Sequence, residues 1–324
     1  MKNKAKKKSI REQKEKKKVT EVKTFSVPIA LEEIKENITI TANTPSKPSK
    51  EQIINQAFKF HSEGNILEAA KYYQHFINQG FKDHRVFSNY GMILQGLGKS
   101  QEAELSLRKA IQINPNLANV HYNLGIILKD LGRSQEAELS LRKAIEIKPD
   151  YAIAYYNLGN LLTDIGKLQE AELSYRKTIE IKPDYAAAHS NLGNILKDLG
   201  KLKEAEIYTK RAIELKPDFA EVHSNLGSIL KDLGKLEEAE LSYCKAIEIK
   251  PDFAIAHYNL GNILRELGNL KEAELSTRKA IEINPNLAIA HSNMGNILKD
   301  LGKTKEAEIS YTKAIDLAPN FTSA

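Results

Sequence analysis

Seven glycines, at positions 91, 125, 159, 193, 227, 261 and 295, are spaced by 34 residues without a slip. Six of them follow Asn-Leu or Asn-Met and the first follows Asn-Tyr, so an asparagine stands two residues before each one. A chain of 324 residues would ordinarily suggest about two globular domains. A fixed period overrides that expectation, because units that cannot bury their apolar faces alone stack on their neighbours and share one continuous core. The expectation is one elongated repeat domain and a tail.

Seven regular copies begin at His84, Ala118, Ala152, Ala186, Ala220, Ala254 and Ala288. In the second of them Val120, Leu124, Gly125, Ile127, Leu128 and Leu131 fall at positions 3, 7, 8, 10, 11 and 14, with His121 the polar exception at position 4. That stripe has helical period and is too long for a strand. Position 15 is glycine in every copy, which suits a left-handed cap ending the first helix. A second helix is expected over Ala137, Leu139, Leu141, Ala144 and Ile145 as its apolar positions, with Glu138 four residues before Arg142 for surface pairing. Pro149 closes it and Asp150 is placed to cap the next helix; the proline recurs at 115, 183, 217, 251, 285 and 319. Residues 50–83 are a worn copy in the same register, with Ala57, Gly64 and Ala69 at positions 8, 15 and 20. This degenerate copy is expected to cap the array, followed by seven regular copies over 84–321 and a short end at 322–324.

These residues resemble the tetratricopeptide repeat. In the copy starting at Ala152, Leu158, Gly159, Leu162, Ala171, Tyr175 and Pro183 stand at the positions that carry the resemblance. The resemblance implies an all-α, right-handed superhelical solenoid of eight antiparallel helix pairs. One departure is that the aromatic usual at position 4 is Phe87 and Tyr155 in two copies, but His121, His189, His223, His257 and His291 in the others. Successive histidines are a repeat apart, roughly 10 Å, whereas zinc ligands lie about 2 Å from a shared ion. They are therefore read as packing residues and not as a metal site.

The charge is unevenly placed. Residues 1–24 hold eleven Lys or Arg and three Glu, a charge of +8, while the whole chain carries +6. The array itself carries no overall basic signature, so nucleic acid or anionic lipid enters only through the basic tail. Residues 1–49 are expected to be mostly disordered, with the segment SVPIALEEIKENITI docking on the first repeat. The single Cys244 excludes an intramolecular disulfide, and no stretch is long and apolar enough to span a membrane. A cytoplasmic protein is expected, without cofactor, metal or catalytic residues: no phosphate-binding glycine loop occurs, and the recurrent acids Glu136 and Glu138 read as helix surface.

If the apolar stripe is buried, positions 2, 5, 6, 9, 12 and 13 remain open, the face that lines the concave groove in the family resembled. Position 6 is Asn89, Asn123, Asn157, Asn191, Asn225, Asn259 and Asn293; position 9 adds Asn160, Asn194, Asn262 and Asn296; position 5 supplies Tyr122, Tyr156 and Tyr258. An amide offers donors and an acceptor to a peptide backbone without reading its side chains. The ladder is similar to the one in the repeat domain of O-linked N-acetylglucosamine transferases, which implies extended protein substrates. The expected function is a non-catalytic scaffold binding an extended or helical protein segment in the groove. The alternative is the substrate-docking region of a glycosyltransferase or sulfotransferase system. Self-association through the last, uncapped repeat is a further expectation.

Overall fold

The computed structural model describes residues 48–319. The expectations for the basic tail, its docking segment up to residue 47, and the end at 322–324 lie outside the described residues. Among the described residues every regular element is an α-helix, and the sixteen follow one another as the period requires. They are α1 (Lys50–Ser62), α2 (Ile66–Asn78), α3 (His84–Gly96), α4 (Ser100–Ile113), α5 (Ala118–Asp130), α6 (Ser134–Ile147), α7 (Ala152–Asp164) and α8 (Leu168–Ile181). The series continues with α9 (Ala186–Asp198), α10 (Leu202–Leu215), α11 (Ala220–Asp232), α12 (Leu236–Ile249), α13 (Ala254–Glu266), α14 (Leu270–Ile283), α15 (Ala288–Asp300) and α16 (Thr304–Leu317). The fold is an all-α helical repeat solenoid. The described residues divide into two compact units, one up to Leu131 with α1 to α5 and one from Gly132 with α6 to α16.

The turn inside each hairpin is set by its glycine. Gly98 has φ 75° and Gly166 has φ 76°, a region open to glycine at little steric cost. The next amide reaches back to close the helix, Lys99 N to Leu94 O at 2.9 Å and Lys167 N to Leu162 O at 2.8 Å, the six-to-one bond of a Schellman cap. The position-8 glycine has a different task, which is to let the two helices of a hairpin touch. A Cβ on Gly159 would stand 2.7 Å from the Tyr175 ring, so only a hydrogen fits between α7 and α8. Around that contact Ala154, Leu158, Leu161, Leu162 and Ala171 are buried.

The histidines at position 4 have a specific partner. In the second unit His189, His223, His257 and His291 place Nε2 2.9 to 3.0 Å from the carbonyl oxygens of Pro183, Pro217, Pro251 and Pro285. His121 does the same to Pro115 within the first unit, at 2.9 Å. A carbonyl only accepts, so Nε2 carries the proton and each ring ties a repeat to the proline that closed the one before it.

Two expectations are corrected. Asp150 does not cap α7: the N-cap is Tyr151, without a side-chain bond, and the extra residue after the aspartate sets the helix start out of reach of the carboxylate. In the worn copy the acid comes one residue later, and Asp83 does cap α3, accepting from Arg85 N at 2.9 Å. Leu139 is not a core residue; it is 69% exposed, because the buried line of α6 runs through Ala137, Leu141 and Ala144.

Successive second helices are clamped by charge. Glu206 accepts from Lys210 on its own helix and from Lys235 at the start of the next one, at 2.6 and 2.8 Å. Lys210 and then Lys235 hold its carboxyl below the usual range. Glu138, Glu172 and Glu274 are each held by a matching pair, the incoming lysines being Lys167, Lys201 and Lys303. These lysines stand at helix N-caps that make no side-chain cap bond, since an ammonium has no acceptor to offer the first-turn amides, and their side chains serve the clamp.

Candidate functional site

The face expected to be open is only partly so. Position 5 is buried where it is serine, at Ser88, Ser190, Ser224 and Ser292, and half-buried where it is Tyr122, Tyr156 or Tyr258. The position-6 asparagines are half-buried, except Asn293, which is buried and donates to Thr277 Oγ1 at 3.3 Å. These amides are thus less open than expected, and the partners of Asn89 and Asn293, Tyr73 and Thr277, lie on the second helix of the preceding repeat. Asn160, Asn194, Asn262 and Asn296 at position 9 are also half-buried.

What the structure brings together is a relay in the second unit. Tyr175 on α8 donates to Asn160 Oδ1 at 2.8 Å, and Asn191 Nδ2 on α9 donates to the same oxygen at 2.9 Å. The other Asn191 proton goes to the Tyr156 hydroxyl at 3.3 Å. Tyr156 in turn meets the Tyr185 ring edge to face, with centroids 4.9 Å apart. Burial pushes the Tyr175 hydroxyl up to about 12, so it stays a neutral donor. The three bonds fill the Asn160 acceptor and both Asn191 donors, leaving the Asn160 Nδ2 amide and Asn191 Oδ1 as one donor group and one acceptor.

The other asparagines are engaged differently. Tyr311 donates to Asn296 Oδ1 at 2.8 Å, repeating half of the relay. Asn157 Nδ2 binds Ile153 O of its own helix at 2.9 Å. In the first unit Asn89 Nδ2 donates to the Tyr73 hydroxyl at 3.3 Å, and that hydroxyl lies 3.0 Å from His61 Nδ1. Asn123, Asn194, Asn225, Asn259 and Asn262 are half-buried on their helices. The tyrosines at position 24 were missed as parts of the site; the signal was the alternation Tyr175, Thr209, Tyr243, Thr277, Tyr311.

Charges at positions 12 and 13 cancel along the second unit. Lys197 pairs with Asp232 at 3.6 Å, Lys231 with Glu266 at 2.8 Å and Arg265 with Asp300 at 2.5 Å. Where the position-12 residue is Thr163, the following Asp198 is exposed and meets no cation among the described residues. In the first unit a hollow of about 270 Å³ is lined by Phe58, Arg85, Ser88, Asn89, Leu117 and Asn119. The Arg85 guanidinium lies 5.3 Å over the Phe58 ring and its charge is matched by Asp83 at 2.9 Å. Both stretches offer neutral hydrogen-bonding groups and aromatic edges, a surface suited to peptide and poorly suited to a phosphate backbone.

Among the described residues no group of three or more His, Cys, Asp or Glu is placed to hold a metal ion, and no helix is long and apolar enough to cross a membrane. Cys244 is exposed, and partial desolvation of its sulfur and then the neighbouring Glu240 raise its thiol above the usual range, which disfavours the reactive thiolate.

Comparison with known families gives matches along most of the array. A family model described as TPR repeat matches residues 96–132, 127–163, 159–200 and 227–268. A second, described as Tetratricopeptide repeat, matches 186–219, 254–287 and 288–321. No curated protein sequence matches the chain. Among solved structures it is similar to YrrB, described as a TPR protein with an unusual peptide-binding site, at 28% identity and a TM-score of 0.47 over 56% of this chain and 93% of that one. It is also similar to MamA at 26% identity and a TM-score of 0.48, covering 50% and 94%. For MamA 41-end from Desulfovibrio magneticus RS-1 the values are 22% and 0.50, covering 52% and 96%.

Proposed function

The chain belongs to the tetratricopeptide-repeat family, and from that premise we propose that it is a non-catalytic interaction scaffold that holds an extended protein segment along the first-helix face. The observation that carries this reading is the Tyr175–Asn160–Asn191–Tyr156 relay. It spends the inward hydrogen-bonding capacity of two adjacent asparagines on the fold and leaves one donor and one acceptor, the pair that a peptide unit needs. Helix pairs advance by roughly 10 Å and an extended chain by about 3.3 Å per residue, so each repeat serves about every third residue of the ligand. Cancelled charges at positions 12 and 13 leave the backbone as the common feature recognised, and Tyr156, Tyr185 and the Phe58–Arg85 hollow as the places that discriminate side chains.

The test begins with peptides selected from a random displayed library against the whole chain. Their dissociation constants are then measured on the parent and on the Asn160→Ala/Asn191→Ala variant. A loss of about 10- to 100-fold is expected, from two hydrogen bonds worth roughly 1 kcal/mol each and the ordering they provide. Selected peptides that bind the variant as tightly as the parent, with its fold intact by circular dichroism, would sink the reading.

A further inference from the structure

Position 22, on the outer side of each regular second helix, is occupied by a large aliphatic residue that is left mostly exposed. In the second unit these residues are Leu139, Leu173, Ile207, Leu241, Leu275 and Ile309, each 65 to 71% exposed. Leu105 stands at the same position in the first unit. Isolated exposed leucines need no explanation, but one per repeat in strict register along a helix face is a surface.

We propose that this face of the second unit docks a second copy of the same chain. Three observations favour that occupant. The first is complementarity of form. Beside Leu173, between α6 and α8, lies a hollow of about 410 Å³ lined by Arg142, Ile145, Tyr155, Leu158, Glu170 and Leu173. The face thus carries projecting aliphatic residues beside a recess of mixed lining, to which Glu146 and Ser174 also contribute. A two-fold pairing uses the same patch on both copies, so each copy's knobs meet the other's recess. An identical array also has the matching period, which an unrelated surface does not.

The second is charge. Ions flanking the stripe are already paired on their own helices: Lys143 with Glu146 and Lys177 with Glu180, both at 2.6 Å, and Lys245 with Glu248 at 2.7 Å. Arg211 with Glu214 at 2.7 Å and Lys279 with Glu282 at 3.0 Å continue the series. These pairs add no net charge with which the face would repel its twin, and no cationic excess to draw it to an anionic bilayer. The third is area. A leucine two-thirds exposed offers roughly 100 Å² of apolar surface, so six give about 600 Å² per copy. A standard interface takes roughly 800 Å² per partner, and the flanking ion pairs supply the remainder as its polar rim.

The test is sedimentation equilibrium of the full chain over a wide concentration range, with the Leu173→Glu/Leu241→Glu variant beside it. The parent is expected to move from 36.3 kDa to twice that mass. The variant is expected to dissociate about 30-fold more readily or worse, with an unchanged thermal melt because both residues are exposed. If the glutamates lower the melt, Leu173→Ser/Leu241→Ser replaces them, and its dimer must also weaken. A parent that stays monomeric overturns the proposal, and one that instead floats with phosphatidylglycerol vesicles assigns the stripe to lipid. A dimer that survives both double variants but is lost in Ile315→Glu overturns it too, moving the contact to the last repeat.

Discussion

His223 Nε2 donates to the carbonyl oxygen of Pro217 at 3.0 Å, joining the first helix of one repeat to the proline that ended the one before it. A phenylalanine at the equivalent place, Phe87, packs without making such a bond. His223→Phe is therefore expected to keep the fold and lose about 1 kcal/mol, the net worth of a hydrogen bond whose acceptor is left alone. Urea denaturation reads the loss; an unchanged midpoint would mean that ring volume alone matters there.

His189 makes the same bond to Pro183 while its Nδ1 is buried without a partner. Burial lowers its proton affinity, the bond to Pro183 opposes that, and Arg211 lowers it further. The unfolded chain takes up the proton near pH 6.5, and the folded chain does so only at lower pH. Stability should therefore fall as pH drops below that value, until the folded imidazole also protonates. In His189→Phe the slope of unfolding free energy against pH through this window becomes shallower. An equal slope in both proteins would assign the acid response to other groups.

Gly159→Ala and Gly200→Ala separate two uses of glycine. The first puts a methyl 2.7 Å from the Tyr175 ring and should cost about 1–3 kcal/mol by overpacking. The second meets no atom but must hold φ 73°, a strain of about 1–2 kcal/mol. Gly159→Ala should cost less in a Tyr175→Ala background than in the parent, whereas Gly200→Ala should cost the same in both, as judged by melting temperature.

Thr163→Lys supplies the cation that Asp198 lacks and that Lys197, Lys231 and Arg265 supply at the following steps. The gain should be about 0.2–1 kcal/mol, because the pair is exposed, and it should shrink when salt is added. A gain that salt leaves untouched would point to packing of the lysine stem instead.

The register of every helix was legible because glycine and proline act locally: Gly98 must turn the chain whatever surrounds it, and Pro183 must end a helix. What a helix meets is not local. Leu139 sits beside the buried line of Ala137, Leu141 and Ala144 in sequence, yet points away from both neighbouring helices, which a single-helix pattern does not encode. Asn191 looked free for the converse reason, since its partners Tyr156 and Asn160 lie in the preceding repeat. Histidine at position 4 was recognised as packing, but its proline partner depends on how consecutive hairpins stack.

The carboxylate clamps between successive second helices are interrupted once in the second unit. Glu240 has Cys244 where Glu138, Glu172 and Glu274 have arginine and Glu206 has Lys210, and the next turn brings Asn269 where the others bring lysine. In a linear array whose units couple mainly to nearest neighbours, stability is a sum of unit and junction terms. Among the described residues the contact between α12 and α14 is therefore the one in this series without a carboxylate clamp, although Lys231 on α11 still reaches Glu266 on α13 across the same repeat boundary at 2.8 Å. Rising ionic strength weakens the joints on either side more than this one, which has only the Lys231–Glu266 pair to lose, so salt narrows the difference in strength between the joints.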